Sequence, residues 1–550
     1  MSRHSRFTVG GKPFFSVGSQ TRNSCSYFPE KMEDTWTAAR LLHANTVATP
    51  IPWERFEPEE EQFDEQYIHD LIDQARAHGF KLSLLWFGTW KNGSMEYTPN
   101  WVKAAPDRFP RAQLKDGSRL HQLSVHSKVN LENDKRAFCH LLKVLKEYDG
   151  EEQTVIAVQV ENEPGILGGT RRDFSPLGEE AYRAQVPEKV IAWCKAHPED
   201  PVSHEWTGAE QGSWQEVFGR YGAEACTSAA IAQYIDEVAR AGKEVYDLFL
   251  YMNVWQDGYP RGFGTDIGGV DWPAGGANIR NLGIYYALVT SLDTISPDNY
   301  HGDLTRYLTT THAYAHPENG FPLYVPESAR GGINASLMFD AIGNHGAIGY
   351  HIFGGEQLLT EDRQELIPGA KDIRCSLAML KNVAGILPDY LGTDKLVGIA
   401  QQPGEVSYTV ENFNGWKIVV SFPGSGIGGN DNSLDYRHES YEPFGGMKPF
   451  GEDLGRGLIF AAGEDEFYLV GHRIRLFFLE REAEDGSLSV YDLNGFIKRM
   501  NGEYLYITEG HFDENGKYVT DIIRSGDEAR NAVWAHWDCG VVHVKLLRMR

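Results

Sequence analysis

Hydrophobic runs that end in polar residues recur along the first 395 residues of the chain. Most runs are rich in β-branched and aromatic residues, and helical stretches separate them. A continuous apolar run of this kind is typical of a strand buried on both faces, as in a parallel sheet. The pattern predicts helices over residues 64–79 and 134–148, and it predicts strands within residues 15–20, 45–50, 80–87, 153–163, 247–255, 294–300, 322–327 and 347–353.

Strands that alternate with helices predict an α/β fold with a parallel sheet. Eight such units fit a (β/α)8 TIM barrel, a fold that carries its site at the C-terminal ends of the strands. A doubly wound sheet is the competing architecture, but no G-x-G-x-x-G motif follows the first predicted strand. We therefore predict a catalytic barrel over residues 1–395.

The pattern changes beyond residue 396, where helical periodicity disappears. Short apolar strands are predicted within residues 406–410, 416–420, 466–470, 474–478 and 541–545. Asp485-Gly486 and Asn501-Gly502 are turn signals, and the Gly/Asn-rich residues 424–432 predict a long loop. Residues 396–550 are therefore predicted to form an all-β, sandwich-like domain.

Composition narrows the class of protein. The chain has 550 residues, 41% of them hydrophobic and 12% aromatic, and a formal net charge of −25. This hydrophobic content predicts a folded core, while the negative charge argues against nucleic-acid and anionic-membrane partners. We expect a carbohydrate partner instead, because sugar sites use aromatic faces as platforms, and a homo-oligomer is left open.

The cysteines and the N-terminus favour the cytoplasm. Six cysteines are scattered without a C-x-x-C pair, which predicts free thiols rather than a zinc site or a disulfide framework. No clustered His/Asp pattern indicates a metal site, and we expect neither a metal nor a cofactor. The first residues contain no apolar signal region, and no run of about 18 apolar residues predicts a membrane span.

Two carboxylates stand at the ends of predicted strands. Glu163 follows Asn162 at the end of the fourth strand, and Glu327 ends the seventh. A barrel brings these ends to one mouth, and retaining glycosidases hold two carboxyl groups about 5–5.5 Å apart. We therefore predict that Glu163 and Glu327 form the catalytic pair. Glu161 is expected to point to the other side of its strand, in a scaffold role.

Further polar and aromatic residues near strand ends are candidates for substrate binding. The amides of Gln20, Asn23 and Asn253 suit sugar hydroxyls. The tryptophans are either platforms for sugar rings or packing between loops, His351 is either a ligand or a satisfied core residue, and Glu356 is either a ligand or a solvated loop residue. The predicted substrate contacts are Asn162, Tyr300, Gln20, Trp86, Trp90, Asn253, Trp255, His351 and Glu356.

Four segments in the correct order resemble glycoside hydrolase family 35. Residues 159–163 (Gln-Val-Glu-Asn-Glu) resemble its acid/base strand, and residues 45–58 resemble its N-T-V … P-W-x-x-H-E-P segment, with Phe56 where His is usual. Residues 7–20 resemble its opening hairpin, with Gly10 in place of Asp, and Gly354-Gly355 matches the pair after its last barrel strand. The C-terminal region resembles that of a bacterial subgroup that joins this barrel to a β-rich domain of formerly unknown function.

The resemblance implies a retaining exo-β-glycosidase. It would be a β-galactosidase that releases terminal, non-reducing β-linked galactose from oligosaccharides by double displacement. Carried over by position, Glu163 is the general acid/base and Glu327 the nucleophile. Asn162 would bind the sugar 2-hydroxyl, and Tyr300 would orient the nucleophile.

One departure leaves the sugar open. Galactosidases of that family carry a C-A-E-W motif after the third strand, and its Glu binds galactose. Residues 86–92 here read Trp-Phe-Gly-Thr-Trp-Lys-Asn, without a carboxylate. A β-glucosidase or β-glucosyl transglycosylase of the same fold is therefore the alternative. A non-catalytic sugar-binding protein is a third possibility, which the presence of both carboxylates disfavours.

Overall fold

The computed structural model describes residues 3–28, 31–257, 267–422, 453–479, 503–524 and 532–548. A hairpin with a Gly-Gly turn opens the chain, as predicted, and the eight predicted strands follow. The strands of this region are β1 (Phe7–Val9), β2 (Lys12–Phe14), β3 (Ser16–Gln20), β4 (Thr46–Pro52), β5 (Lys81–Lys91), β6 (Arg111–Gln113), β7 (Arg119–Leu123), β8 (Val155–Asn162), β9 (Phe249–Val254), β10 (Thr294–Asn299), β11 (Glu327–Ser328) and β12 (Gly349–Phe353).

Eight of these strands form a closed parallel barrel. Their order is β3-β4-β5-β8-β9-β10-β11 with β12 beside β3, while β6 and β7 form a separate two-stranded excursion. A parallel bridge between Val325 and Tyr350 closes the ring between the last two strands. All eight residues of β8 are buried, as expected for a strand with the barrel interior on one face and helices on the other. The predicted TIM-barrel fold is thus confirmed.

The helices lie mainly around the barrel, and local capping sets their ends. The predicted helix 64–79 runs from Glu65 to His78, because Asp64 accepts the Tyr67 N–H and Gly79 adopts a left-handed conformation. The helices are α1 (Glu33–Leu41), α2 (Trp53–Phe56), α3 (Glu65–His78), α4 (Asn100–Lys103), α5 (Lys128–Asp149), α6 (Pro176–Arg183), α7 (Glu188–Ala196), α8 (Pro201–His204), α9 (Trp214–Phe218), α10 (Gly222–Val245), α11 (Leu282–Leu288), α12 (Leu304–Tyr314), α13 (Asn334–Gly343) and α14 (Lys371–Val383). Among the described helices, none is long and apolar enough to cross a membrane.

The C-terminal region is an antiparallel sandwich, as predicted. One sheet has the order β13-β16-β17-β22-β19-β20 and the other the order β14-β15-β18-β21. Trp416, Phe467 and Phe478 pack between them. The predicted loop 424–432 and the turns 485–486 and 501–502 lie outside the described residues. The strands are β13 (Leu396–Ala400), β14 (Ser407–Phe413), β15 (Trp416–Ser421), β16 (Arg456–Gly463), β17 (Glu466–His472), β18 (Ile474–Leu479), β19 (Glu503–Phe512), β20 (Tyr518–Arg524), β21 (Val533–Ala535) and β22 (Val541–Leu547).

The sandwich packs directly on two barrel helices. The Gly398 N–H on β13 donates to Asn344 Oδ1 (2.9 Å), just beyond the end of α13. The buried Arg456 side chain donates to Ser376 Oγ on α14 (2.7 Å). Glycine is needed at the closest approach, since a Cβ on Gly398 would lie 2.0 Å from the backbone oxygen of Phe339.

Gly398→Ala is therefore expected to lower the free energy of unfolding by about 1–3 kcal/mol, the usual effect of overpacking a close contact. Gly385→Ala is the matched control, because a Cβ there meets nothing within 4 Å. Chemical unfolding of both variants would measure the difference. Equal stability of the two variants would show that the contact between β13 and α13 is not as close as described.

Candidate active site

Six neighbouring barrel strands, β5 and β8 to β12, end around one cavity of ≈ 500 Å³. This is the position at which a TIM barrel carries its site. Carboxylic acids and aromatic rings dominate its wall, and a basic side chain stands among them. The lining residues are Asn23, Lys91, Asn92, Glu163, Trp255, Gln256, Asp257, Asp271, Trp272, Asp298, Tyr300, His301, Glu327 and Phe353.

Glu327 is held through both carboxylate oxygens. Gln20 Nε2 at the end of β3 donates to Oε1 (2.5 Å), and the Tyr300 hydroxyl beyond β10 donates to Oε2 (2.8 Å). Two donors to one buried carboxylate fix its orientation and stabilise its charge. The residue is 4% exposed, but it lines the cavity. Glu327 is thus presented as an oriented carboxylate at the cavity wall.

Glu163 lies one residue beyond β8 in a different environment. Its backbone N–H donates to Asn253 Oδ1 (2.8 Å). Burial is the main cause that raises the pKa of Glu163 to about 7; nearby Glu327 adds to the increase and Lys91 opposes it. A carboxyl group with this pKa is protonated in much of the population at neutral pH. Glu163 therefore suits a proton donor.

The two carboxyl groups are close together. One carboxylate oxygen from each of Glu163, Asp298 and Glu327 lies within 4.8 Å of the other two. Retaining glycosidases hold their pair about 5–5.5 Å apart, whereas inverting enzymes need about 6.5–9.5 Å to admit a water molecule. The spacing supports direct attack by one carboxylate on a sugar carbon.

The same three carboxyl groups are a conceivable cation site, since oxygen ligands suit Ca²⁺ and Mg²⁺. Cation binding needs ionised ligands, but burial raises the pKa of both Glu163 and Asp298. Three of the oxygens already accept hydrogen bonds, from Gln20, Tyr300 and Asn253. These three carboxyl groups are therefore better suited to remain partly protonated than to bind a metal ion.

Backbone strain is concentrated at the cavity. Asn92, Glu161 and Glu163 have φ angles of 52°, 66° and 44°, a left-handed conformation that side chains rarely adopt. Such strain persists where the surroundings impose it, and it is frequent at functional sites. The Glu161 carboxyl lies next to Asp134 of α5 and accepts the Trp90 N–H (2.8 Å), so it belongs to the layer between barrel and helices.

Asn162 is oriented by a lysine. Lys91 Nζ donates to Asn162 Oδ1 (2.8 Å). The Asn162 Nδ2 group is buried and has no hydrogen-bond partner among the described residues. An unpaired buried donor is costly unless a ligand satisfies it. The group is therefore left without an acceptor within the described ranges, although Asn162 itself is 0% exposed and is not among the residues that line the cavity.

Two predicted platforms are not at the cavity. Trp86 and Trp90 are both 0% exposed. Trp86 donates from Nε1 to Asp134 of α5 (2.9 Å), and Trp90 packs edge-on against Tyr234 of α10. Both side chains leave β5 toward the helical layer instead of the barrel mouth. Their predicted substrate contact is corrected to a packing role, while Trp255 does line the cavity.

His351 and Glu356 are also packing residues rather than cavity residues. His351 shares a hydrogen bond with Ser16 Oγ (2.7 Å), and burial lowers its pKa to about 3, so the ring is neutral. Glu356 accepts the backbone N–H (2.8 Å) and Nε (3.0 Å) of Arg22. Gln20 and Asn253 act through other residues: Gln20 contacts Glu327, and Asn253 links Glu163 to Asp298.

Asp298, Lys91 and Trp272 are among the cavity residues to which the sequence gives no role. Asp298 stands in the same polar strand end as Tyr300, so the signal for it was present. Lys91 occupies the segment in which a family carboxylate was sought. Trp272 follows a long segment without periodicity, and no sequence pattern could place it at the mouth.

Two family models match parts of the chain. The model for glycoside hydrolase family 42, described as β-galactosidase, matches residues 26–206. A domain of unknown function (DUF5597) matches residues 373–536, which include most of the predicted β-rich region. The similarity is to glycoside hydrolases, but it does not support the assignment to family 35. Short motifs at strand ends reflect a fold and reaction that several families share, so they did not separate one family from another.

Solved structures with a similar fold include several glycosidases. A β-galactosidase from Bacillus circulans sp. alkalophilus is 14% identical with a TM-score of 0.47, covering 69% of this chain and 58% of that one. One from Rahnella sp. R3 is 16% identical with a TM-score of 0.47 and the same coverage. An exo-β-1,4-mannosidase from Opitutaceae bacterium strain TAV5 is 14% identical with a TM-score of 0.40, covering 70% and 63%. No curated protein matches the chain.

The chain thus spans 58% of the length of each of these two β-galactosidases. The similarities to solved structures are weak. The function proposed below therefore rests on the geometry of the site and on the matching family model.

Proposed function

We propose that this protein is a retaining exo-β-glycosidase with Glu327 as nucleophile and Glu163 as general acid/base. The closeness of two carboxyl groups in opposite environments carries this proposal. Glu327 is fixed by two donors, whereas burial raises the pKa of Glu163 to about 7. A pair whose surroundings separate acid from base in this way is the requirement of double displacement.

In the first step, a Glu327 oxygen bonds to the anomeric carbon while the bond from that carbon to the leaving oxygen breaks. The Glu163 proton passes to the leaving oxygen. In the second step, water attacks the anomeric carbon, Glu163 takes its proton, and the bond to Glu327 breaks. The free carboxylate of Glu327 and the protonated Glu163 are restored. Two inversions give net retention.

Galactose is the proposed sugar, and the β-galactosidase family model over residues 26–206 supports it. Asn162, oriented by Lys91, is proposed to bind the 2-hydroxyl, and Trp255 to provide an aromatic face. The second candidate is a β-glucosidase or β-glucosyl transglycosylase. One observation favours it: residues 86–92 contain no carboxylate, and this segment presents the Lys91 side chain to the cavity instead.

A panel of nitrophenyl β-glycosides would decide between these sugars. We expect the galactoside to be cleaved with a kcat/KM at least about tenfold above that of the glucoside, a difference of about 1.4 kcal/mol. Proton NMR of the first-formed sugar should show the β-anomer. Release from the glucoside alone would replace the galactosidase proposal, and a first-formed α-anomer would contradict the retaining mechanism. Product analysis at high acceptor concentration would reveal transglycosylation.

The domain boundary and the cellular location of the protein are also proposals. We place the catalytic unit at residues 1–395 and the β-rich unit at 396–550, because α14 ends at Val383 and β13 begins at Leu396. The domain of unknown function begins earlier, at residue 373 within α14. All six cysteines are free, which supports a reducing cytoplasm.

A further inference from the structure

The double displacement uses two carboxyl groups, but the cavity contains a third. Asp298 on β10 lies opposite Glu327 in the register between β10 and β11. It is 4% exposed, and one of its oxygens is within 4.8 Å of a carboxylate oxygen of both Glu163 and Glu327. A buried acid so close to the reacting pair affects its charge whatever else it does.

Asn253 fixes the orientation of Asp298. Its Nδ2 group donates to Asp298 Oδ2 (2.7 Å), and its Oδ1 accepts the backbone N–H of Glu163 (2.8 Å). Since Asn253 has both ends engaged, Asp298 Oδ2 is committed as an acceptor. The other oxygen, Oδ1, is buried and meets no hydrogen-bond donor in the described part of the chain.

An oxygen of the Glu163 carboxyl lies within 4.8 Å of an oxygen of Asp298, and Oδ1 is the Asp298 oxygen left to share a hydrogen bond with it, because Asn253 already holds Oδ2. Two ionised carboxylates would repel each other, so a hydrogen bond between them requires a proton. Burial above all, and then the charges of Glu327 and Glu163, raise the pKa of Asp298 well above its usual range. The other titratable or charged groups that face this cavity are Lys91, Asp257, Asp271, Tyr300 and His301.

Resting on the function proposed above, we propose that Asp298 is a positioning residue that remains protonated and donates a hydrogen bond to the carbonyl oxygen of the Glu163 carboxyl group. Glu163 is then oriented with its own proton toward the leaving oxygen. Asp298 touches neither the anomeric carbon nor the leaving group in this role. It acts through Glu163.

The hydrogen bond also matches the flow of charge in the reaction. When Glu327 bonds to the anomeric carbon it loses its negative charge, and Glu163 becomes a carboxylate as its proton moves to the leaving oxygen. The three carboxyl groups of Glu163, Asp298 and Glu327 thus carry one negative charge in total before and after this step, and Lys91 lines the same cavity. A donor already aimed at Glu163 stabilises the carboxylate as it forms, without reorganisation.

Asparagine is the test residue, because its amide reproduces a protonated Asp298. Its oxygen can accept from Asn253, and its N–H can donate to Glu163. Asp298→Asn is expected to keep kcat/KM within about threefold of wild type, with the same alkaline pH limb. Asp298→Ala is expected to lower kcat about 10- to 100-fold with little change in KM, the usual effect of losing a hydrogen bond to a charged group. An asparagine variant as slow as the alanine variant would overturn the proposal, and so would a fully active alanine variant.

A measurement without substrate separates this proposal from the function it rests on. Asp298 ionises near pH 4 in the unfolded chain but keeps its proton in the folded one, so wild-type stability falls as pH rises above 4. The Asp298→Asn variant does not lose stability in this way, because asparagine does not titrate. The Tm of the asparagine variant minus that of wild type should therefore increase between pH 5 and 8.

Asp107→Asn is the control for this comparison, because the Asp107 side chain is 92% exposed. Its Tm difference from wild type should be almost independent of pH. A flat difference for Asp298→Asn as well would show that Asp298 is ionised in the folded protein and would overturn the proposal. If the wild type cleaves no β-glycoside but the difference for Asp298→Asn rises with pH, the proposed function fails while the protonated, hydrogen-bonded Asp298 stands.

Discussion

Glu327→Ala is expected to reduce kcat at least about 10⁴-fold, because it removes the carboxylate that bonds to the anomeric carbon in the proposed mechanism. Azide should restore turnover by occupying the space of the missing carboxylate and attacking from the same side. Only one inversion then occurs, so the product should be the α-glycosyl azide. Steady-state kinetics and NMR of the azide product would check both results.

Glu356→Gln is the matched control for the nucleophile variant. Glu356 is a buried glutamate near the end of the adjacent strand β12, but it pairs with Arg22 and does not line the cavity. We expect this variant to lose stability and to retain kcat within a few-fold. Near-normal turnover by Glu327→Ala would remove Glu327 from the mechanism. If both variants lost kcat to a similar extent while circular dichroism showed both to be folded, the result would contradict a specific catalytic role for Glu327.

Glu163→Ala is expected to give a loss that depends on the leaving group. Substrates with poor leaving groups need the proton and should lose about 10²–10⁴-fold in kcat/KM. A dinitrophenyl glycoside needs almost no protonation, so its glycosylation step should be nearly normal. Azide should then accelerate release of the glycosyl-enzyme and give the β-glycosyl azide, the opposite anomer from that of the Glu327 variant.

The pH profile gives a second measurement of the same residue. Because the pKa of Glu163 is raised to about 7, its proton is present below that pH and is lost as pH rises through it. Wild-type kcat/KM should therefore fall above pH 7, and this alkaline limb should be absent in Glu163→Ala. Glu161→Gln, two residues away with its carboxyl beside Asp134, should keep the limb. If the alkaline limb persisted in Glu163→Ala, the titrating group would be a residue other than Glu163.

The positions of the catalytic candidates could be read from sequence because strand ends in a barrel share one mouth. Glu163 and Glu327 are 164 positions apart (327 − 163), yet the alternation of apolar runs and helices was sufficient to bring them together. Tyr300 followed from the same logic, and its hydroxyl does reach Glu327. Their catalytic roles remain predictions until the variants above are measured.

The direction of individual side chains could not be read in the same way. Trp86 and Trp90 are of the residue type that forms sugar platforms. In the structure both rings point from β5 (which extends to Lys91) toward the helices, where Trp86 contacts Phe138 and Trp90 contacts Tyr234. Strand alternation predicts the side to which a residue points only when the strand is regular, and the pairing of β5 with β8 shifts its register between Trp86 and Lys91. The sequence did not single out Asp298, because a functional role for this third acid follows only from its distance to Glu163 and Glu327.

The sequence by itself determined the barrel, the β-rich region and the two strand ends that carry the acids. It could do so because a strand buried on both faces needs a continuous apolar run, which is visible directly in the local sequence. The tertiary structure alone decided in which carboxyl groups burial raises the pKa, which oxygen each donor holds and which aromatic rings reach the cavity. These depend on burial and on distances of a few ångströms between residues far apart in the chain, and no local pattern records such distances.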